Sequence, residues 1–251
     1  YFKDLKKKYG INKERKTEIK EFESIDATKV VVANKKLYFN KEEGFIGTAM
    51  RKDEYVCECS DIDDIIVFKQ DGSMKVVKVD SKVFVGKGII HAAVFKKKDT
   101  RTIYNMIYSD GKSGYSMMKR FNVSSITRNK DYYLTKSEKG SKVIYFTANP
   151  NGEAETVTVH LRKLQKLKIL KFDYDFAQLA IKGKGSVGNI LTKNKVKKIE
   201  LKSEGVSTLS ARKIWFDPNV RRLNTEERGN LLGDFAANDK ILTINDDGSL
   251  E

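Results

Sequence analysis

Lysine and arginine are the most frequent residues in this sequence that could bind a charged partner. Lysine and arginine number 49 against 34 aspartates and glutamates in 251 residues, which gives a formal net charge of +15. Most of these cations stand in turns, loops or strand ends, where they can neutralise phosphates without reading bases. The candidate contacts are Arg51, Lys52, Lys87, Lys96, Lys97, Lys98, Lys119, Arg120, Arg128, Lys130, Lys182, Lys184, Lys193, Lys195, Arg212, Arg221, Arg222 and Arg228.

The charge has three interpretations that composition alone leaves open. Duplex nucleic acid is the first candidate partner, because repeated loops of a circular array would carry the cations on one rim as a continuous positive belt. An anionic membrane surface is a second candidate. In the third interpretation the cations keep a protein-interaction domain soluble and protect its sheet edges.

Residues that usually catalyse or bind metals occur here without their usual partners. His91 and His160 stand beside apolar residues in predicted strands, with no metal-ligand spacing around them. Asp61, Asp63 and Asp64 lack the glycine and glutamate of a calcium loop, so we interpret them as a turn between repeats. We therefore expect no metal site, no cofactor and no catalysis by this fragment alone.

Two further short motifs have structural interpretations. Gly183–Gly188 matches G-x-G-x-x-G, but a β-branched, lysine-rich stretch follows it where a dinucleotide site needs a helix. Cys57 and Cys59 fall on the same face of a strand, which disfavours a disulfide and indicates core residues in a reducing cytosol. No signal peptide and no apolar run near 18 residues is present, so we expect no membrane span.

The elements that position the cations are predicted to be β-hairpins, and the stretch Ile65–Phe95 shows the pattern best. An apolar strand leads to Asp71-Gly72, a two-residue turn signal, and then to an alternating strand. A Gly-Lys-Gly loop at 86–88 precedes a third apolar strand. The same order recurs roughly every 35 to 40 residues, a period typical of propeller-like blades.

The repeats predict an all-β domain preceded by a short helix over residues 1–9. The predicted turns lie at Asn34-Lys35, Asp71-Gly72, Asp110-Gly111, Asn149–Gly152, Thr192–Lys195, Pro218-Asn219 and, in a sixth hairpin starting at Lys240, at Asp247-Gly248. Between them, the pattern over 170–176 predicts a strand, and that over 177–183 a strand or one short helix.

Several of these stretches together resemble the C-terminal domain of the A subunit of bacterial type IIA topoisomerases, the gyrase and topoisomerase IV family. The stretch at 6–19 is similar to the end of that subunit's breakage-reunion region. The resemblance to blade strands and their closing loops is carried by VVVANKKLYFN, IIVFKQDGSMKVVKV, GKGIIHAAVF, RGNLLGDF and KILTINDDGSL.

The resemblance implies a β-pinwheel, a disc of four-stranded blades that exchange strands with their neighbours. It implies about six blades with the last incomplete, or alternatively five. Residues 1–25 would be the end of the breakage-reunion region and a connector, and 26–251 the pinwheel. The family's catalytic tyrosine and metal site have no counterpart in this sequence.

The resemblance also implies a function. Where gyrase has an arginine-rich box, this chain has Lys41–Gly47, which is acidic and lacks the arginines, so it looks more like topoisomerase IV. We expect non-specific duplex DNA binding and bending that aids segment capture for decatenation and relaxation. The expected partners are the remainder of the A subunit, together with the B subunit of an ATP-dependent cytoplasmic, nucleoid-associated enzyme. The alternative is the protein-interaction module.

Overall fold

The computed structural model describes residues 1–10, 34–165, 167–219, 221–225, 227–236, 239–244 and 248–249. The chain divides into two compact units, Tyr1–Ala33 and Asn34–Glu251. The described part of the first unit contains helix α1 (Phe2–Tyr9), which is the predicted short helix, and none of its side chains is buried. The predicted boundary between residues 25 and 26 lies outside the described residues.

The second unit is built from strands and one turn of 3₁₀ helix, Phe176–Gln178. In chain order the strands are β1 (Lys35–Asn40), β2 (Phe45–Gly47), β3 (Glu54–Cys59), β4 (Asp64–Lys69), β5 (Ser73–Lys78), β6 (Val83–Phe84), β7 (Ile89–Phe95), β8 (Ile103–Ser109), β9 (Ser116–Asn122), β10 (Asp131–Tyr133), β11 (Lys142–Asn149), β12 (Thr156–Leu161), β13 (Lys171–Asp175), β14 (Ile181–Gly183), β15 (Asn189–Thr192), β16 (Val196–Ser203), β17 (Arg212–Asp217), β18 (Arg222–Asn224) and β19 (Asn230–Phe235).

These strands form five small sheets in the described part of the chain. The first sheet has the order β3-β1-β2-β6 and the second β10-β5-β4-β7. The third has the order β11-β8-β9-β14, with β15 also paired to β9. The fourth and fifth have three strands each, β13-β12-β16 and β18-β17-β19. Neighbouring strands are antiparallel, except that β14 runs parallel to β9.

Successive sheets exchange strands by a common rule. In the first three sheets the second strand pairs with a segment taken from the next repeat, where that segment lies between the second and third strands. Thus β6 completes the first sheet, β10 the second, and β14 with β15 the third. This exchange is the arrangement of a β-pinwheel, so the predicted fold class is confirmed.

The Asp-Gly hairpins at 71–72 and 110–111 form as predicted because their turn residues satisfy the local backbone. Asp71 Oδ1 accepts hydrogen bonds from the Ser73 backbone N–H at 2.8 Å and from Ser73 Oγ at 2.6 Å. Gly72 has a φ of 81°, and a Cβ there would lie 2.3 Å from Thr135 Cγ2, so only glycine fits without strain. In the second hairpin, Asp110 Oδ2 accepts a bond from the Ser113 N–H at 2.9 Å.

Each apolar core lies between two successive sheets. One core joins the first and second sheets, a second joins the second and third, and a third joins the third and fourth. Aromatic rings fill the middle core, where Phe68 packs 4.6 Å from Tyr104 and 4.7 Å from Phe146 between ring centroids. The third sheet is therefore covered on both faces, whereas no described side chain of the fifth sheet is buried.

Two predicted hairpins are wrong. The strands on either side of Asn149–Gly152 do not pair, because β11 joins β8 in the third sheet and β12 joins β13 and β16 in the fourth. The strands around Thr192–Lys195 also belong to different sheets, since β15 pairs with β9 and β16 with β12. The predicted turn at Asn149–Gly152 is present, since the Gly152 N–H donates to the Asn149 carbonyl at 3.1 Å. In both cases, however, the flanking strands pair with strands that are distant in sequence.

The ends of the predicted repeat array fit the structure less closely. Lys35 lies inside β1 rather than in a turn, and residues 30–33 of the predicted preceding strand lie outside the described residues. The predicted sixth hairpin falls partly outside them too, and its described residues 240–244 contain no named strand. The hairpin at Pro218-Asn219 and the strand within 170–176 are present as β17–β18 and β13.

Candidate nucleic-acid interface

Three loops meet where the second and third sheets join, and we call their cations the basic loop cluster. The backbone N–H of Lys98 donates to the Ser124 carbonyl at 3.0 Å, and Lys184 Nζ donates to the Ser125 carbonyl at 2.8 Å. These bonds connect the loop after β7, the loop before β10 and the loop after β14. The basic loop cluster consists of the loop cations Lys96, Lys97, Lys98, Arg128, Lys130 and Lys184, together with Lys182 at the end of β14.

The lysine run in this cluster is well placed to meet an extended anion. Lys96, Lys97 and Lys98 are all exposed, and Lys98 adopts a φ of 62°, so the run turns sharply instead of extending β7. Partial burial acts to raise the pKa of Asp99, but hydrogen bonds from Thr102 and the Arg101 backbone outweigh it and lower that pKa. The carboxylate therefore stays ionised and fixes the end of the loop.

The other members of the cluster are partly held by neighbours. Arg128 Nε lies 2.6 Å from Asp64 Oδ1, so this guanidinium is already paired with a buried carboxylate. Lys130 and Lys184 each place Nζ 5.4 Å from the centre of the Tyr132 ring. The lysines are thereby oriented on one aromatic side chain and remain able to donate to an external acceptor.

Other predicted contacts lie at the opposite ends of the strands. The loop that contains Lys87 adjoins the Asp71-Gly72 turn, since the Gln70 N–H donates to the Gly88 carbonyl at 2.8 Å. Successive loops of an antiparallel sheet alternate between its two ends, and β7 separates this loop from the lysine run. The expectation of one rim that carries all the predicted cations is therefore wrong.

Lys193 and Lys195 belong to this opposite end as well. The Lys195 carbonyl accepts a bond from the Arg162 N–H at 2.8 Å, and Lys193 Nζ lies 5.8 Å from the Tyr115 ring in the second hairpin loop. A groove of about 550 Å³ between the third and fourth sheets is lined by these cations: Lys142, Arg162, Lys195 and Lys197.

Sequence reasoning missed three members of that groove. Lys142, Arg162 and Lys197 are exposed, but they stand at strand ends that the sequence pattern assigns to ordinary hairpins. The available signal was an exposed cation directly next to a buried apolar residue, as in Lys142-Val143 and Leu161-Arg162, and Lys197 lacks even that signal. Their convergence depends on the pairing of β11 with β8, which has no local sequence signal.

The remaining exposed candidates lie elsewhere. Arg51 and Lys52 stand in the turn between β2 and β3. The fifth sheet carries a separate group, in which Arg212 donates from Nη2 to Thr225 Oγ1 at 2.7 Å. The members of that group are Arg212, Lys213, Arg221, Arg222 and Arg228.

Lys119 and Arg120 are not part of any exposed surface, and their assignment as DNA contacts is wrong. Each is 2% exposed and lies inside β9, which is packed between two cores. Adjacent strand residues point to opposite faces, so the two cations enter different environments. Lys119 donates three hydrogen bonds to backbone carbonyls, one of them to Leu134 at 2.9 Å.

Arg120 is the centre of a buried polar network. Its Nε donates to Asn105 Oδ1 at 3.0 Å, and its Nη2 donates to the Gly152 carbonyl and to Thr208 Oγ1, both at 3.0 Å. Asn105 Nδ2 in turn donates to Glu155 Oε2 at 3.0 Å. Arg120 therefore joins the third sheet to the crossover before β12 and to the segment that leads to the fifth sheet.

The other motifs show structural roles. Gly183–Gly188 connects β14 to β15, so a strand follows it and not a helix. His160 Nε2 lies 2.7 Å from Glu200 Oε2, and burial lowers the pKa of His91.

Among the described residues, no group of three or more His, Cys, Asp or Glu side chains is placed to hold a metal ion. Within the same residues, no helix has the length and apolar composition needed to span a membrane.

Comparisons with known proteins agree with the resemblance seen in the sequence. The family model "Topoisomerase C-terminal domain, Bacteroidota" matches residues 36–204. The A subunit of DNA topoisomerase 4 from Borreliella burgdorferi is 26% identical over 196 residues, which are 78% of this chain and 29% of that protein. A crystal structure of the C-terminal domain of DNA topoisomerase IV has 11% identity and a TM-score of 0.46, over 88% of this chain and 84% of that one.

Proposed function

Since this chain belongs to the family of topoisomerase C-terminal domains, we propose that it binds duplex DNA without sequence preference through its basic loop cluster. The observation that carries the proposal is the direct contact between three loops of different sheets, which brings dispersed cations together. Lysine and arginine neutralise phosphates whatever the base sequence, so this cluster contributes affinity rather than specificity.

The proposal extends to the enzyme of which this domain would be a part. The chain spans less than a third of the length of the curated relative from Borreliella burgdorferi. We propose that the domain serves a topoisomerase IV-like, ATP-dependent enzyme in the cytoplasm, with the B subunit of that enzyme as a partner. Its role there would be to bend DNA and aid segment capture for decatenation and relaxation.

Binding to short and long duplexes over a salt series tests the proposal. We expect a ~60 bp duplex to bind more tightly than a ~15 bp duplex, with log K falling by roughly 0.9 per neutralised phosphate for each tenfold increase in salt. Fluorescence anisotropy at several KCl concentrations would give both slopes. Equal, weak binding of both duplexes that vanishes near physiological salt would instead support a protein-interaction module with a solubilising surface.

Anionic vesicles provide the matched control for charge alone. A domain that binds any negatively charged surface would bind phosphatidylserine vesicles and DNA with similar salt dependence. We expect the vesicles to compete poorly for the domain at equal accessible phosphate. Strong competition would support the membrane alternative and contradict the DNA proposal.

A further inference from the structure

The buried ammonium of Lys119 is enclosed by backbone carbonyls in the manner of a bound cation. Lys119 Nζ lies 2.9 Å from the carbonyl oxygens of Leu134 and Lys184 and 2.5 Å from that of Ser186. An ammonium has three N–H donors, so these three acceptors use all of them. The face of the Phe121 ring, with its centroid 4.5 Å away, covers the same group.

The three carbonyls come from two segments that have no covalent connection near this point. Leu134 follows β10, the strand that completes the second sheet, whereas Lys184 and Ser186 lie in the loop between β14 and β15. One side chain of β9 therefore joins the strand exchanged into the second sheet to the loop at the edge of the third. That loop is the one that contributes Lys184 to the basic loop cluster.

The loop has further anchors next to the ammonium, so its conformation is closely defined. Tyr108 donates from its hydroxyl to the Val187 carbonyl at 2.7 Å. Gly188 has a φ of 90°, and a Cβ there would lie 2.3 Å from the Met118 carbonyl oxygen. Without the ammonium, the carbonyls of Lys184 and Ser186 would lose their partner, and a buried carbonyl without a partner is unfavourable.

Among the described residues, the charged side chains that line the cavity beside Lys119 are all cations. Lys182 and Arg120, the latter from the opposite face of β9, line this cavity of about 200 Å³. Lys184 of the enclosing loop directs its ammonium to the Ser125 carbonyl. Burial lowers the pKa of Lys119 to about 7, with no carboxylate contributing to that pKa. The ammonium is therefore held by carbonyl dipoles alone, and it is not the partner of a buried acid.

We propose that Lys119 is a positioning residue for DNA binding, which holds the 183–188 loop so that Lys184, together with Lys182 at the adjoining end of β14, faces the same phosphates as the rest of the basic loop cluster. This inference rests on the proposed function, because the consequence of the anchored loop is measured as DNA affinity. Lys119 itself touches no DNA, since it is 2% exposed.

Amide hydrogen exchange tests the anchoring without reference to DNA. In Lys119→Met we expect faster exchange at residues 184–188 and at Leu134, with the other sheets unchanged. Arg120→Met is the comparison, because it removes the neighbouring buried cation and should destabilise the domain in general, yet it leaves the three carbonyls with their ammonium. It should therefore not raise exchange selectively at residues 184–188. Should Lys119→Met not fold, Lys119→Gln takes its place, since its shorter side chain offers only two N–H donors to the three carbonyls, and the same residues should then exchange faster by a smaller factor. Unchanged exchange in the loop would overturn the proposal.

DNA affinity then tests the positioning role. Removal of one phosphate interaction is expected to weaken binding by up to about tenfold at 0.1 M salt. Lys119→Met should approach the affinity and salt slope of Lys182→Ala/Lys184→Ala, and adding it to that double variant should have little further effect. Independent, additive losses would contradict a role exerted through these two lysines.

Chemical rescue gives a readout that a merely structural residue would not produce. Lys119→Ala leaves the carbonyls facing a space that fits propylammonium, which we expect to restore loop protection and part of the DNA affinity. Tetramethylammonium at equal ionic strength is the control, because it has no N–H donor. Rescue by neither cation or by both equally would overturn the proposal. If the unaltered domain binds no DNA, the proposed function fails, while exchange and rescue of protection still decide the anchoring.

Discussion

Lys96–Lys98 and Lys119-Arg120 are two runs of neighbouring cations that differ completely in environment. The first run follows the end of β7 and is exposed, and its bend at Lys98 has a φ of 62°. The second occupies the middle of β9, where each side chain is 2% exposed and its donors are bound to protein acceptors. Cations at the end of a strand are thus available to a partner, whereas cations inside a strand packed on both faces serve the fold.

The largest difference between the two runs should be in stability, when one buried cation is removed. Arg120→Ala leaves Asn105 Oδ1, Thr208 Oγ1 and two backbone carbonyls without their donor and removes the positive charge near Glu155. We therefore expect the free energy of unfolding to fall by about 3–5 kcal/mol. Lys97→Ala is the matched exposed change and should stay within about 0.5 kcal/mol of the unaltered domain. Urea denaturation followed by tryptophan fluorescence and circular dichroism measures both. Equal losses of unfolding free energy in the two variants would contradict the different roles assigned to the two runs.

Reversing the exposed charges should weaken DNA binding and leave the stability of the domain almost unchanged. Lys96→Glu/Lys97→Glu/Lys98→Glu removes up to three phosphate contacts, and we expect affinity for a ~60 bp duplex to fall by about 10²–10³-fold at 0.1 M salt. The unfolding midpoint should hardly change. Lys36→Glu/Lys82→Glu/Lys112→Glu changes three exposed lysines that are not predicted contacts and is the control for an equal change in net charge. A similar loss in that control would assign the effect to overall charge.

The buried run should also respond to pH in a way that the exposed run does not. Because burial lowers the pKa of Lys119 to about 7, the unfolded chain binds a proton more tightly than the folded domain does. Stability should therefore rise with pH from about 7 to about 10, by at most about 1.4 kcal/mol per pH unit, relative to Lys119→Met. If the free energy of unfolding changes with pH in the same way for the two proteins over this range, the pKa of Lys119 is not lowered in the folded domain.

The smallest effect should come from the cations of the groove at the other end of the strands. Lys195→Gln/Lys197→Gln should weaken binding of a ~60 bp duplex by no more than about tenfold for each phosphate interaction. A ~15 bp duplex bound at the basic loop cluster should be affected less, because it need not reach both ends. Losses that are equal for the two lengths would indicate that the groove is part of the main binding site.

The sequence is informative wherever the determinant is local. Asp71-Gly72 predicts its hairpin because the aspartate satisfies the following backbone N–H and the glycine accepts a positive φ. The pairing of β11 with β8 is not predictable in this way, since Asn149–Gly152 would suit a hairpin or a crossover equally. The two-residue strand β6 likewise has no periodicity of its own, so strand exchange follows only from the resemblance.

The same limit applies to the candidate site. Composition predicts that cations will face a polyanion, and the loops that carry Lys96–Lys98, Arg128 and Lys184 do come together. Whether a given cation is exposed depends on what covers its strand. Lys119-Arg120 could have been suspected from its place between Met118 and Phe121, where apolar residues on both sides indicate the middle of a strand and not its end.

Strand exchange has a consequence for how this domain is made. A nascent chain leaves the ribosome N-terminus first, so β2 keeps an open edge until β6 has emerged, and β5 keeps one until β10 has emerged. Each of the first three sheets is completed only after the next repeat has begun. The sheets are therefore completed in the order in which their strands are translated. Until each exchanged strand emerges, the sheet before it has one unpaired edge that could pair with another chain. A chaperone that prevents such pairing would have to cover this edge.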